Sequence, residues 1–183
     1  MAPATTPSPP APRPNRASRV AIVAVGLLVV ASCSHLPGRS PAAARPPTVV
    51  RVVDGDTVVL RIAGATERVR LIGIDTPETV KPDTPVQCYG PEASAHLKHL
   101  LPPGTPVRVR RDAEARDRYG RLLLYLWRAS DGRFVNLEIA ADGFGRPLTI
   151  APNTAHRADI AAAASRAEAS GRGLWRSCPA APP

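Results

Sequence analysis

Between Val49 and Ile74 the chain passes through three β-branched, alternating runs, "VVRVV", "TVVLRI" and "ERVRLIGI", parted only by "DGD" and "AGAT". Runs this short with turn residues between them predict an antiparallel meander of three strands. Arg68 and Arg70 alternate with Val69 and Leu71, so the third strand has one wet and one dry face. Three strands leave two open edges, and the rest of the chain has to cover or close them.

Further β pattern lies downstream, in "TPVRVRR" and "RLLLYLWRA", with "DGR" (Asp131 to Arg133) as a tight turn. Before these strands stands "GPEASAHLKHLLPPG". Pro91 and Glu92 suit a first helical turn, Ala93, Leu97, Leu100 and Leu101 make one apolar face, and Pro102 stops the helix. "NLEIAADG" and "NTAHRADIAAAASRAEASG" read as two more helices, the second capped by Asn153 or Thr154 and ended by Gly171. The α+β order of five strands, with one helix inserted before the fourth, predicts a five-stranded OB-fold β-barrel with three helices.

The folded part does not begin at residue 1. Residues 1–19 are rich in Pro and Ala, carry Arg13, Arg16 and Arg19 without an acid, and lead into the apolar "VAIVAVGLLVVAS". This order of basic, apolar and small residues predicts a signal peptide over 1–32, and the apolar run is shorter than the roughly 20 residues of a spanning helix. The small residues of "VVASC" directly before Cys33 resemble a bacterial lipoprotein box, which predicts lipidation of Cys33 and a membrane anchor on the outer face; a plain secretory signal is the alternative. Residues 33–47, Pro/Ala-rich and without large apolar side chains, read as a stiff tether. One domain is expected over 48–178, followed by a disordered tail at 179–183. Five of the 24 basic residues precede Thr48, so the formal charge of +9 lies partly ahead of the domain, which with 19 basic against 15 acidic residues is itself mildly basic. With Cys33 lipidated in an oxidising compartment, Cys88 and Cys178 remain as a disulfide pair.

Acids stand at the ends of two strands. Asp54 reads as part of an Asp-Gly turn. Asp56 and Asp75 are brought close by neighbouring strands of the meander, where two carboxylates repel unless a cation lies between them. Carboxylates, backbone carbonyls and water are the ligands of Ca²⁺. His96 and His99 have helical spacing but no second ligand pair, so they read as surface residues of their helix, not as a zinc site. Arg70 and Arg121 add guanidinium groups, which stay charged and meet phosphate oxygens in pairs. Arginines and a metal around a phosphate, with Glu78 to activate or orient water, make a phosphoryl-transfer site.

The blocks "VDGDTV", "VRLIGIDTPET", "CYGPEAS", "DRYGR", "VNLEIAADGFG" and "GLW" follow the order seen in the staphylococcal nuclease (thermonuclease) family, which the chain resembles from about Val49 to Trp175. The resemblance implies an OB-fold, calcium-dependent phosphodiesterase that cuts DNA and RNA and leaves 3′-phosphorylated ends. It implies Ca²⁺ held by the carboxylates of Asp56 and Asp75 and the carbonyl of Thr76, and Glu78 acting on the attacking water. Arg70 and Arg121 would clamp the phosphate, with Arg118 and Tyr119 supporting the terminal phosphate. Nothing in the sequence requires more than a monomer.

The chain departs from the family at "RPLTIAPN" (Arg146 to Asn153), where well-known members carry tyrosines that pack on the nucleotide. Base stacking contributes about 1 to 3 kcal/mol per base, so weaker substrate affinity or altered preference is expected. A non-catalytic OB module that binds nucleic acid in the cell envelope is the alternative function. Against it, the chain retains Asp56, Asp75, Glu78, Arg70 and Arg121 together.

Overall fold

The computed structural model describes residues 45–80 and 85–178. The predicted signal peptide, Cys33, the tether up to residue 44 and the tail lie outside the described residues. Among those described, no helix is long and apolar enough to cross a membrane.

Strand β1 (Thr48–Val52), β2 (Thr57–Ile62) and β3 (Ala65–Leu71) form the expected meander, with Thr57 opposite Arg70 and Ile62 opposite Ala65. Strand β5 (Val107–Arg110) pairs antiparallel with β6 (Leu122–Arg128), and β6 joins the meander by running parallel to β3, with Val69 opposite Leu122 and Leu71 opposite Leu124. The sheet order is therefore β1-β2-β3-β6-β5. Its two outer strands are tied to each other near Thr48: Val49 N–H donates to the Thr105 carbonyl, Val107 N–H donates to Pro47, and Thr48 bridges Pro106. Curling the sheet onto itself satisfies edge groups that would otherwise be open for pairing. Val58, Leu60, Val69, Leu71, Leu124 and Leu126 fill the interior, and each such side chain contributes roughly 1.5 to 3 kcal/mol by leaving water.

The third run is not one strand. β3 stops at Leu71, Gly73 takes φ +88°, and Gly73–Asp75 forms a separate strand β4 that pairs with β7 (Arg146–Leu148). Sequence alternation reads straight through this break because Leu71, Ile72 and Ile74 are all buried. Only a residue without Cβ takes that positive φ at little cost. β7 comes from "RPLTIAPN", which carries no strand signal beyond three residues.

Helix α1 (Gly90–Leu100) packs through Ala93, Leu97 and Leu100, with Leu101 buried just after it, as the spacing predicts. Helix α2 (Val135–Ala141) places Asn136 in the core with no exposed surface. Its Nδ2 donates to the carbonyls of Ile72 and Leu124, and its Oδ1 accepts from Leu126 N–H. The amide thus satisfies backbone groups left over where β3 ends. Helix α3 (Arg157–Ala169) buries Ile160, Ala163, Ala164 and Ala167, and Gly171 at φ +58° follows its last turn.

Three local expectations are corrected. His156, not Asn153 or Thr154, occupies the N-cap of α3, and no side chain caps it; Asn153 instead bonds both main-chain groups of Glu114. His96 is half-buried and stacked on Phe144 with ring centroids 3.9 Å apart, and burial lowers its pKa; only His99 is exposed. A fourth helical turn, α4 (Leu174–Ser177), follows α3. Directly after it, Cys178 forms the expected disulfide with Cys88, spanning 90 residues and fixing the C-terminal end to the start of α1. Closing a loop of that length stabilises by on the order of 4 kcal/mol in the chain-entropy picture.

Candidate active site

The register of the meander places the first half of the site. Thr57 pairs with Arg70, so Asp56, one residue earlier, reaches the guanidinium: Arg70 Nη2 lies 3.0 Å from Asp56 Oδ2 and 2.8 Å from Asp75 Oδ1. The other terminal nitrogen, Nη1, donates to the carbonyls of Leu71 and Ile74, each at 2.8 Å, which locks the guanidinium into the bend between β3 and β4. One guanidinium therefore holds two carboxylates, Asp56 from the turn before β2 and Asp75 from the end of β4.

Asp56 is buried, and both of its oxygens accept hydrogen bonds. Its Oδ1 accepts from the Thr57 hydroxyl, and its Oδ2 accepts from both the main-chain N–H and the hydroxyl of Thr76, at 3.0 and 3.1 Å. Gly55 makes this possible: a Cβ there would fall 2.6 Å from Thr76 Oγ1 and 2.9 Å from the Ala93 methyl group. Asp54 takes the turn role, accepting from Asp56 N–H at 3.1 Å, and burial together with the adjacent Asp56 charge pushes its carboxyl up to about 6. Asp75 keeps 59% of its side chain open, yet the protein crowded around its carboxyl raises its pKa. Arg70 opposes that rise, while Asp56 and Glu78 add to it.

Glu78 lies just beyond, close enough to Asp75 for its charge to be felt there. Its Oε1 accepts from the N–H groups of Thr79 and Val80, both at 2.9 Å, so the local turn aims the carboxylate.

The parallel pairing of β3 and β6 places the second half. Leu122 stands opposite Val69, so Arg121 arrives beside β3 at the same end as Arg70. Asp117 organises the approach. Its Oδ2 accepts from Arg121 Nε at 2.7 Å, and its Oδ1 accepts from the N–H groups of Tyr119 and Arg121. Burial works against ionisation of Asp117, but these bonds outweigh it and hold the carboxyl below its ordinary value. Tyr119, 68% exposed, has two guanidinium groups over its ring, Arg118 at 4.8 Å and Arg121 at 5.4 Å from the ring centre.

Arg70, Arg118, Tyr119 and Arg121 all line one cavity of about 480 Å³, whose apolar wall includes Leu148 and Ile150. Asp56, Asp75, Thr76 and Glu78 do not line it. Arg70 lines the cavity and also pairs with the Asp56 and Asp75 carboxylates. Sequence reading missed Asp117 and the wall of Leu148 and Ile150. Asp117 stands four residues before Arg121, but in a loop that spacing carries no signal.

A nucleic-acid-cleaving enzyme on an OB-type barrel is the class that this fold and this set of acids and arginines define. The family model described as "Staphylococcal nuclease homologue" matches residues 68–177. A thermonuclease of Staphylococcus intermedius is 43% identical over 127 residues, 69% of this chain and 74% of the relative. A thermonuclease of Staphylococcus hyicus is 40% identical over 127 residues, 69% and 73% of the two chains. Endonuclease YncB of Bacillus subtilis (strain 168) is 38% identical over 108 residues, 58% of this chain and 50% of the relative. The chain belongs to the staphylococcal nuclease family.

Proposed function

We propose that this nuclease is a calcium-dependent phosphodiesterase that hydrolyses DNA and RNA and leaves 3′-phosphorylated ends. The observation that carries the reading is that Arg70 pairs with Asp56 and Asp75 and also lines a cavity bearing Arg118, Tyr119 and Arg121. Nucleic acid is the substrate that such a basic cavity receives, and the thermonuclease relatives support that choice.

The donor chemistry fits calcium. Asp56 and Asp75 offer carboxylate oxygens and Thr76 a carbonyl, all hard ligands. Among the described residues no group of three or more His, Cys, Asp or Glu is spaced to hold an ion. Two acids leave most of a six- to eight-oxygen shell to carbonyl, water and substrate phosphate, which suits Ca²⁺ better than a metal needing soft ligands. Bound there, the ion would supply positive charge to the phosphate as negative charge builds on its oxygens.

The chain's own residues carry the remaining steps. Glu78, aimed by the N–H groups of Thr79 and Val80, accepts the proton of the attacking water. Arg121, oriented by Asp117 through its Nε, donates its terminal N–H groups to the non-bridging oxygens, a fixed donor that costs no reorganisation when the charge develops, and Arg70, in the wall of the same cavity, adds its positive charge to the clamp on the phosphate. Arg118 and Tyr119, in the wall of the cavity, hold the terminal phosphate. Leu148 and Ile150 offer a base an apolar wall without a π-face, so binding of the base is weak.

Export belongs to the same proposal: a signal peptide over 1–32 and a lipid on Cys33 would anchor the enzyme outside the membrane. Wild-type protein made in a bacterium should partition into detergent with the membrane fraction, and Cys33→Ala should not. The activity is tested by following oligonucleotide cleavage against added Ca²⁺ and chelator. Cleavage only with Ca²⁺, giving 3′-phosphate ends, supports the reading; undiminished cleavage in EDTA overturns the metal assignment.

A further inference from the structure

Gln87 grips the main chain of Glu78 from both sides. Its Oε1 accepts from Glu78 N–H at 2.9 Å, and its own N–H donates to the Glu78 carbonyl at 3.0 Å. Glu78 lies outside every strand and helix, so these two bonds do for its peptide what a ladder does elsewhere. The carboxylate is aimed by the turn of Thr79 and Val80, and that turn moves with the Glu78 main chain.

Gln87 is itself well anchored. Its carbonyl accepts from Gly90 N–H at the start of α1, and the next residue, Cys88, is covalently joined to Cys178. Gly90 also lets α1 close on the same segment: a Cβ there would lie 3.0 Å from the Glu78 carbonyl and 3.2 Å from that of Pro77. A path from the rigid helix to the carboxylate therefore runs through Gln87.

We propose that Gln87 is a positioning residue for the hydrolysis, acting through Glu78 and touching neither substrate nor metal. The proposal rests on the reading of Glu78 as the group that takes the water's proton. Releasing the Glu78 peptide lets the carboxylate drift, and misplacement by about 1 Å costs up to about 100-fold in rate.

The test uses the mature domain with a defined oligonucleotide in saturating Ca²⁺, at a pH where the carboxylates are ionised. Gln87→Ala and the length-matched Gln87→Met should lower kcat about 10- to 100-fold, with KM and the half-saturating Ca²⁺ concentration little changed. Gln87→Glu, which restores an acceptor for Glu78 N–H, should recover most of the loss. Glu78→Gln should be slow, and adding Gln87→Ala to it should slow it no further, because the two act through one group. Wild-type kcat in folded Gln87→Ala and Gln87→Met overturns the proposal while a slow Glu78→Gln leaves the base assignment standing. A double variant slowed by the full additional factor also overturns it, since Gln87 would then act independently of Glu78. Wild-type turnover in Glu78→Gln removes the base assignment, and the Gln87 proposal with it.

Discussion

Arg70 and Asp75 stand five residues apart in the chain and 2.8 Å apart at Nη2 and Oδ1. In an uninterrupted strand five residues span roughly 17 Å, so this contact exists only because the chain bends at Gly73. The same guanidinium donates to the Leu71 and Ile74 carbonyls on either side of the bend, so it clips the bend that creates its own ion pair. Geometry of the carboxylate pair and stability of the bend are therefore coupled.

Gly73→Ala tests that coupling. Its φ of +88° is strained for alanine, and the added Cβ would meet Ile160 Cδ1 at 2.5 Å, the tip of a side chain that can yield. The backbone strain then dominates, at about 1 to 3 kcal/mol. A lower urea midpoint together with weaker Ca²⁺ activation is expected, measured by denaturation and by cleavage titration.

Asn136→Ala should be more costly than its small size implies. It leaves the Ile72 carbonyl and Leu126 N–H buried without a partner, a loss of about 2 to 4 kcal/mol. Equilibrium unfolding measures it. Cleavage under conditions where the variant is fully folded should stay within a few-fold of wild type, since Asn136 touches no proposed site residue.

Arg121→Lys and Asp117→Asn should both act on turnover. The first keeps the charge but loses the planar fork, and the second removes the carboxylate whose ion pair orients Arg121 at 2.7 Å. A fall in kcat of at least tenfold, with an unchanged Ca²⁺ half-saturation, is the expected kinetic signature. An altered Ca²⁺ dependence with normal kcat would contradict the roles given to these residues.

Acid should loosen the entry to α3. Hydrogen bonds from Ala155 N–H, the Tyr125 hydroxyl and Ala113 N–H hold Asp112 below its ordinary value of 3.8. A carboxyl depressed in the folded state stabilises at pH above that ordinary value, and the contribution is lost as pH falls through the lowered one. Asp112→Asn should therefore flatten the acid limb of the stability curve, seen as a smaller change in melting temperature between neutral and acid pH.

Reduction of Cys88–Cys178 should lower the melting temperature by releasing a 90-residue closure. Because Cys88 adjoins Gln87, cleavage rate should fall in the reduced protein even well below its melting point. Equal rates in oxidised and reduced protein would show that α1 alone suffices to hold that segment.

The periodicity of Val49–Ile74, the apolar face of α1 and the acids at strand ends were legible in sequence because each depends on residues within one or two turns of chain. Strand alternation and helical spacing are local, and so is the burial of Val58, Leu60, Leu97 and Leu100 that follows from them. The break at Gly73 was hidden inside an unbroken apolar run, and β7 was hidden because a three-residue strand exists only through its partner. Asn136 reads as an ordinary helical residue until the Ile72 and Leu126 main chains are brought to it. Asp117 and Gln87 likewise carry no local signal, and their roles come from what the barrel sets beside them. The parallel register of β3 and β6, which brings Arg121 to Arg70, pairs strands some fifty residues apart. Closing so long a loop is repaid only by the packing of the whole core, so tertiary structure alone could decide it.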